Sequence, residues 1–127
     1  MFPDDYKYTK SHEWCRLEGA EVVIGITQFA ADALTDITYV SPLSVGDNVK
    51  KGGSLGEVES VKSTSDIYSP FEGKIVLVND ALVDDPGIIN SDPHKEGWIV
   101  RLAIDDVSEF EKLMTAEEYK TMLEEHH

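Results

Sequence analysis

The chain has 127 residues and a net charge of −14, with 25 acidic and 11 basic side chains. Apolar residues make up 41% and charged residues 28%, which is typical of a single globular domain, here residues 1–127. Because phosphate contacts require Lys and Arg, this charge argues against nucleic acid and anionic membrane surfaces as partners. The single cysteine, Cys15, excludes an intrachain disulfide and a cysteine-cluster zinc site.

The sequence also bears on location. No apolar run approaches the ~20 residues of a membrane span, and the acidic start lacks the basic and apolar regions of a signal peptide. A lone cysteine suits a reducing compartment. These features predict a cytoplasmic protein of a bacterial or archaeal cell.

Short strands dominate the prediction for the N-terminal third. Residues 6–9 alternate apolar and polar side chains, and residues 14–17 and 21–26 are rich in apolar side chains on either side of a turn at residues 18–20. Thr27 is a predicted helix N-cap. The short helix that follows has an apolar face made of Phe29, Ala30, Ala33 and Leu34.

Turn residues divide the middle of the chain. β character over residues 36–40 ends at Pro42, which cannot donate a ladder hydrogen bond. Residues 45–53 are rich in turn formers, and strand-like segments at residues 54–58 and 67–71 follow. Many short strands separated by Gly and Pro turns predict a sandwich or a small barrel.

The C-terminal third combines loops, one strand and helices. The sequence predicts loops with one helical turn over residues 79–93 and a final strand over residues 97–104. Two capping-box patterns predict helical structure over about residues 107–125. The two pairs are Ser108 with Glu111 and Thr115 with Glu118.

Lys62 lies in a polar stretch, residues 58–66, that predicts the tip of a β-hairpin. A lysine amine presented in this way is a usual site of amide-linked modification. A Schiff-base lysine requires burial or a neighbouring cation, whereas Glu59 and Asp66 favour the charged ammonium. The residues therefore favour a modified lysine over a catalytic one, and an ordinary solvated turn lysine remains the alternative.

Residues 56–73, with the sequence GEVESVKSTSDIYSPFEG, closely resemble the lipoyl-attachment segment of the glycine cleavage system H protein family. The resemblance continues in the same order over about residues 6–125. Its other segments are YTKSHEW at 8–14, VIGIT at 23–27, VGD at 45–47, DDP at 84–86 with IN at 89–90, and GW at 97–98.

The resemblance implies a mostly β barrel-sandwich hybrid, of the lipoyl and biotinyl type, with a short internal helix and C-terminal helices. The hairpin would span about residues 54–71, and the helical segment about residues 107–125. Lipoate would be attached as N6-lipoyllysine at Lys62, supplying the sulfur chemistry that Cys15 cannot.

The family resemblance also implies the partners of a carrier that is not itself an enzyme. Glycine decarboxylase, which uses pyridoxal phosphate, would load an aminomethyl group on the lipoyl arm. A tetrahydrofolate-dependent aminomethyltransferase would remove it, and dihydrolipoyl dehydrogenase would reoxidise the arm. A lipoyl-transferring enzyme would modify Lys62.

Four further site residues come from the same resemblance. Ser11, Glu13 and Asp66 would line a cleft that shelters the loaded arm, with Glu13 bonded to its amine. Glu59 would be a recognition mark for the lipoyl-transferring enzyme. The ordinary interpretation makes Ser11 and Glu13 surface residues, and Asp66 and Glu59 turn formers.

Two departures and several alternatives accompany the resemblance. The chain has Ser-Pro-Leu at residues 41–43 where the family usually has Glu-Leu-Pro, and Thr35 where the family commonly has glycine. A biotin site would carry methionines in place of Val61 and Ser63. The alternatives are a lipoate-relay protein, a lipoyl domain of a 2-oxoacid dehydrogenase-type complex, and an unmodified protein-binding module.

Overall fold

The computed structural model describes residues 2–125; Met1 and residues 126–127 of the predicted domain lie outside this part. Its strands are β1 (Lys7–Tyr8), β2 (Glu13–Glu18), β3 (Glu21–Ile26), β4 (Ile37–Pro42), β5 (Asn48–Val49), β6 (Ser54–Ser60), β7 (Thr64–Tyr68), β8 (Gly73–Val78) and β9 (Val100–Ile104). Its helices are α1 (Gln28–Leu34), α2 (Ala81–Asp84), α3 (Ile88–Ser91), a 3-10 helix (Val107–Lys112) and α4 (Ala116–Glu125).

The strands form two antiparallel sheets. The larger sheet has the order β1-β2-β3-β9-β8-β5, and the smaller has the order β4-β6-β7. Both sheets contribute to one hydrophobic core, in which Ile24 and Leu102 of the larger sheet are clustered with Leu55 and Ile67 of the smaller. Burial of each such side chain contributes roughly 1.5–3 kcal/mol.

A second, aromatic core lies on the other face of β3. Trp14, Tyr8 and Tyr119 are fully buried there, and Val23 points to them while its neighbours in β3 point to the main core. A Cβ atom at Gly25 would lie 2.8 Å from the Trp14 ring, so glycine is required beside this indole. The second core fastens α4 to the N-terminal strands.

The helices differ in part from the sequence prediction. Thr27 is the N-cap of α1, as predicted, and accepts a hydrogen bond from Ala30 N. The prediction of a single helical turn within residues 79–93 is wrong, because two short helices, α2 and α3, form there.

Of the two predicted capping boxes, only one forms. The N-cap of the 3-10 helix is Asp106, whose carboxylate accepts from Ser108 N at 3.0 Å, so the predicted cap at Ser108 is wrong. At the start of α4, Thr115 N donates to Glu118 Oε1 at 2.9 Å and Glu118 N donates to Thr115 Oγ1 at 3.2 Å. This reciprocal pair is the predicted capping box.

Two strand boundaries also differ from the prediction. The second strand of the lysine hairpin is Thr64–Tyr68, and not residues 67–71, because Glu59 pairs with Thr64 and the ladder therefore begins close to the turn. The final strand begins at Val100 and not at residue 97. Between residues 2 and 125, none of the helices has the length and apolar character needed to cross a membrane.

Candidate functional site: the lysine hairpin and its cleft

The turn between β6 and β7 holds Lys62 at its centre. Ser60 organises this turn: its hydroxyl accepts from Lys62 N at 3.1 Å and from Ser63 N at 3.0 Å, and Ser60 N donates to Ser63 O at 2.8 Å. Val61 N donates to Asp36 O at 3.1 Å, which ties the turn to the start of β4. A serine that bonds the backbone of the next residues fixes a tight turn, so the support of Lys62 is ordered.

The side chain of Lys62 is exposed and leans toward the end of α1. Its Nζ lies 3.3 Å from the backbone oxygen of Ala33, one of the last carbonyls of that helix. Carbonyls at a helix C-terminus lack intrahelical donors and attract cations. The lysine amine therefore lies at the C-terminal end of α1, close to the surface that this helix borders.

α1 borders a cavity of about 570 Å³, which we call the arm cleft. The cleft brings together three of the predicted site residues, Ser11, Glu13 and Asp66, which come from the β1–β2 loop, β2 and β7. Its other lining residues are His12, Ile26, Phe29, Ala30, Ala33, Leu34, Val58, Thr64, Ser65 and Tyr68.

Glu13 is the buried acid of the arm cleft, with a relative exposure of only 1%. Its Oε1 accepts from the hydroxyls of Thr9 at 2.5 Å and Ser11 at 2.6 Å, and its Oε2 accepts from Tyr68 N at 3.2 Å. An ionised carboxylate only accepts hydrogen bonds, so these three donors satisfy its charge in a buried place. The interpretation of Glu13 as an ordinary surface residue is wrong.

The other predicted residues have different surroundings. Asp66 is exposed at the cleft edge and accepts from Ser54 Oγ at 3.2 Å. Glu59 lies outside the cleft lining, with an exposed side chain on β6. Successive side chains of a strand alternate between its two faces, and the neighbouring Val58 lines the cleft, so Glu59 points away from the cleft three residues before Lys62.

A second cavity, of about 340 Å³, lies beyond Glu13. The two cavities share Ser11, Glu13 and Tyr68, which therefore form the wall between them. Lys51 and Lys112 also border the second cavity, and both pair with Glu109. Lys10 lines the second cavity as well, and one carboxylate shared by two lysines does not neutralise both, so this cavity keeps positive charge.

Several residues of the site were not found from the sequence. Ser60 could have been found, because serine at the first position of a turn is a known signal. His12, by contrast, borders the cleft, and its Nδ1 lies 2.7 Å from the phenol oxygen of Tyr119. That partner is 107 residues away, and no local pattern predicts it.

Other reactive groups contribute little to this site. Cys15 is fully buried, and burial raises the pKa of its thiol well above the usual value, with the charge of Glu13 raising it further. Since the thiolate is the reactive form, this thiol is inert. Within residues 2–125, no cluster of three or more His, Cys, Asp or Glu side chains could hold a metal ion.

The fold and the exposed hairpin lysine define a class of protein, the lipoyl-type barrel-sandwich proteins, and confirm the predicted fold. The family profile described as "Glycine cleavage H-protein" matches residues 6–126. The chain belongs to this family, whose function is that of the lipoyl carrier of the glycine cleavage system, as predicted.

Individual relatives agree with this assignment. A glycine cleavage system H protein of Anaeromyxobacter sp. (strain K) is 47% identical over 123 residues, which are 97% of this chain and 96% of that protein. The mitochondrial glycine cleavage system H protein 2 of Arabidopsis thaliana is 47% identical over 95% of this chain and 78% of its own length. The crystal structure of the H protein from Mycobacterium marinum has a TM-score of 0.85 and 40% identity, covering 97% of this chain and 99% of that one.

Proposed function

We propose that Lys62 carries lipoate in amide linkage and that this chain is a non-catalytic carrier of the glycine cleavage system. The observation that supports this most directly is the position of the lysine. Its amine is exposed at an ordered hairpin tip, and it touches the helix that borders a cleft containing Glu13. A group attached there can be presented to other enzymes or lie in the cleft.

The arm cleft fits a lipoyl group in both of its parts. Phe29, Ala33 and Leu34 give it an apolar side that suits a hydrocarbon chain, and Phe29 is 40% exposed, more than is usual for such a side chain. Glu13 supplies a carboxylate for an amine. When bound, lipoate supplies a disulfide that is reduced as it takes up the aminomethyl group.

Ser11 and Glu13 would act together on that amine. The Ser11 hydroxyl now donates to Glu13 Oε1, and Ser11 is exposed, so this hydroxyl can turn outward. Glu13 Oε1, which keeps its bond from Thr9, would then accept an N–H of the amine in place of the Ser11 hydroxyl, at a carboxylate that is almost fully buried. Asp66, at the cleft edge, would add negative charge that favours a cation.

The partners we propose are glycine decarboxylase, the aminomethyltransferase, dihydrolipoyl dehydrogenase and a lipoyl-transferring enzyme. Lys62 and its hairpin tip are exposed, which gives each of these enzymes access. The net charge of −14 would steer the carrier toward basic surfaces around their active sites. A long arm on an ordered support also raises the effective concentration of the carried group at each of them.

The decisive experiment is the intact mass of the chain after incubation with a lipoate ligase, ATP and lipoate. We expect one lipoyl increment in wild type and none in Lys62→Arg. Lys74→Arg, which changes an exposed strand lysine, is the matched control and should be modified like wild type. No increment in wild type, or an increment that survives Lys62→Arg, would refute the proposal.

The role of Glu59 requires a separate rate measurement. We propose that the lipoyl-transferring enzyme recognises its carboxylate beside the turn, so Glu59→Gln should slow lipoylation. Glu57→Gln removes the same charge from an exposed position of the same strand, two residues further from the lysine, and is the control. Equal slowing in both variants would indicate a general charge effect and not recognition of Glu59.

Exchange of bicarbonate with the carboxyl group of glycine distinguishes a glycine cleavage carrier from a lipoate-relay protein. The lipoylated chain should stimulate this exchange by glycine decarboxylase, and the unmodified chain should not. Lipoylation without stimulation would refute the glycine cleavage role and favour the relay.

A further inference from the structure

Three hydrogen-bonding side chains connect the C-terminal helix to the arm cleft. The phenol oxygen of Tyr119 in α4 lies 2.8 Å from Thr27 Oγ1 and 2.7 Å from His12 Nδ1. Thr27 is buried at the N-cap of α1, and the half-buried His12 borders the cleft with its ring 4.8 Å from that of Phe29. We call Thr27, Tyr119 and His12 the tyrosine relay.

The direction of the hydrogen bonds in the tyrosine relay follows from Thr27. Its Oγ1 accepts from Ala30 N at 3.2 Å, so Tyr119 is the acceptor available for the hydroxyl proton among the described residues. Tyr119 then points its own proton at His12 Nδ1. The opposite direction would leave a buried hydroxyl proton without an acceptor, which is costly. Since Nδ1 accepts, neutral His12 carries its proton on Nε2.

Two properties keep His12 uncharged in this arrangement. Burial lowers the pKa of His12 below its ordinary value. Burial also raises the pKa of Tyr119 to about 12, so the phenol keeps the proton that it donates. An imidazolium could keep this contact only by donating to the phenol oxygen, which would displace the Tyr119 proton from its acceptor. Nε2 points away from Tyr119 and has no hydrogen-bond partner within residues 2–125.

We propose that His12 is a binding residue of the arm cleft, which the tyrosine relay holds as a neutral Nε2–H donor. This inference rests on the proposed function, because the ligand is the amine-bearing arm of Lys62. Glu13 already provides the negative charge that a cationic amine requires. A neutral donor beside it can bond an acceptor atom of the arm without repelling that amine.

The groups that contact His12 or line the cleft with it determine what a charge on His12 would do. β2 contributes Glu13, α4 contributes Tyr119, and β7 contributes Asp66 and Tyr68, whereas α1 presents the uncharged ring of Phe29. Protonated His12 would place a second cation near the bound amine. With an effective dielectric of about 20 and a separation of several ångströms, the affinity would fall on the order of tenfold or more.

The first test uses nitrogen-15 NMR of the imidazole in the unmodified chain. Above neutral pH, wild type should show an unprotonated Nδ1 and a protonated Nε2 for His12, and Tyr119→Phe should show a mixture of tautomers. The control is Tyr8→Phe, since Tyr8 is an equally buried tyrosine of the aromatic core whose hydroxyl donates to Pro3 O at 2.7 Å, outside the relay. An Nδ1–H tautomer in wild type, or no change in Tyr119→Phe, would overturn the inference.

The second test measures release from the loaded arm. Reduced lipoylated chain is loaded with formaldehyde and ammonium. Release is the reverse reaction: water adds to the carbon as its bond to sulfur breaks, the sulfur regains a proton, and formaldehyde and ammonium leave. We expect faster release as the pH falls through the His12 titration measured by NMR.

The control for release is His12→Asn. Asparagine tolerates the left-handed φ of 73° at this position and keeps an acceptor for Tyr119, but it has no Nε2 and no charge change. The pH step should therefore vanish in this variant. An identical pH profile in both lipoylated chains would overturn the inference alone, whereas a chain that takes no lipoate would overturn the proposed function and the binding role together.

Discussion

Thr35 has a backbone conformation that suits glycine. It follows the last residue of α1 with φ of 64° and ψ of −145°, a region that side chains with a Cβ rarely adopt. The surrounding structure enforces this conformation, because Asn90 Nδ2 donates to Thr35 O at 2.7 Å and Ile37 N donates to Asn90 Oδ1 at 2.9 Å. We therefore predict that Thr35→Gly stabilises the protein.

The magnitude follows from two opposing terms. A residue held in such a region costs of order 1–3 kcal/mol, which glycine recovers. Glycine also makes the unfolded chain more flexible, which costs roughly 0.5–1 kcal/mol. Among residues 2–125, the exposed Thr35 hydroxyl bonds only the adjacent Leu34 O, so its loss adds little. The net gain is about 1 kcal/mol, or a rise in Tm of roughly 4 °C for a domain of this size.

Equilibrium unfolding in urea, with thermal melting as a second measure, tests this reasoning. Thr35→Ala is the first control, since it removes the hydroxyl but keeps the Cβ and should not stabilise. Thr121→Gly is the matched control, because Thr121 is an exposed threonine inside helix α4 and the same replacement there should destabilise. A Thr35→Gly variant no more stable than Thr35→Ala would refute the strain at Thr35.

Three further predictions concern stability. Gly56 has φ of 139°, and a Cβ there would lie 2.4 Å from Ser41 O. Gly56→Ala should therefore lower the free energy of unfolding, measured in urea, by about 3 kcal/mol or more. A smaller loss would contradict this crowding. Thr115→Ala removes the side-chain cap of α4, so it should lower the free energy of unfolding by about 1 kcal/mol and speed amide exchange in the first turn of that helix. Unchanged exchange would show that the cap is dispensable. Because burial lowers the pKa of His12, its contribution to stability is present above the ordinary value of 6.5 and is lost as the pH falls through the lowered value; a pH dependence unchanged in His12→Asn would contradict this.

The sequence predicted those strands and helices that are determined by residues close together in the chain. β3 was predicted at residues 21–26, because β-branched residues follow a Gly turn, and these are the bounds observed. α2 and α3 were missed because a helix of four residues contains only one turn of periodic pattern. Asp106 displaced Ser108 as a cap because both have side chains that can accept from a nearby backbone N–H, and the sequence alone does not rank them.

The candidate site depends on contacts between distant parts of the chain, which local patterns do not contain. The resemblance to a family, and not the residue pattern, pointed to Glu13; the pattern alone made it a surface residue, although β2 buries it. Thr27 was correctly predicted as a cap, but its second bond, to Tyr119, crosses 92 residues. The sequence therefore predicts the position of Lys62 and the start of α1, but not the tyrosine relay that joins Thr27 to His12.

The lysine hairpin alone would not form the arm cleft, because the walls of the cleft come from other parts of the chain. β6 and β7 can present Lys62, but the arm cleft needs walls from the β1–β2 loop and α1, which lie outside the hairpin. The loop in turn includes His12 with a left-handed φ, and its ring is held by Tyr119 of α4. The N-terminal and C-terminal elements thus form and brace the cleft together, so a change in the aromatic core under α4 should alter the cleft while the hairpin stays intact.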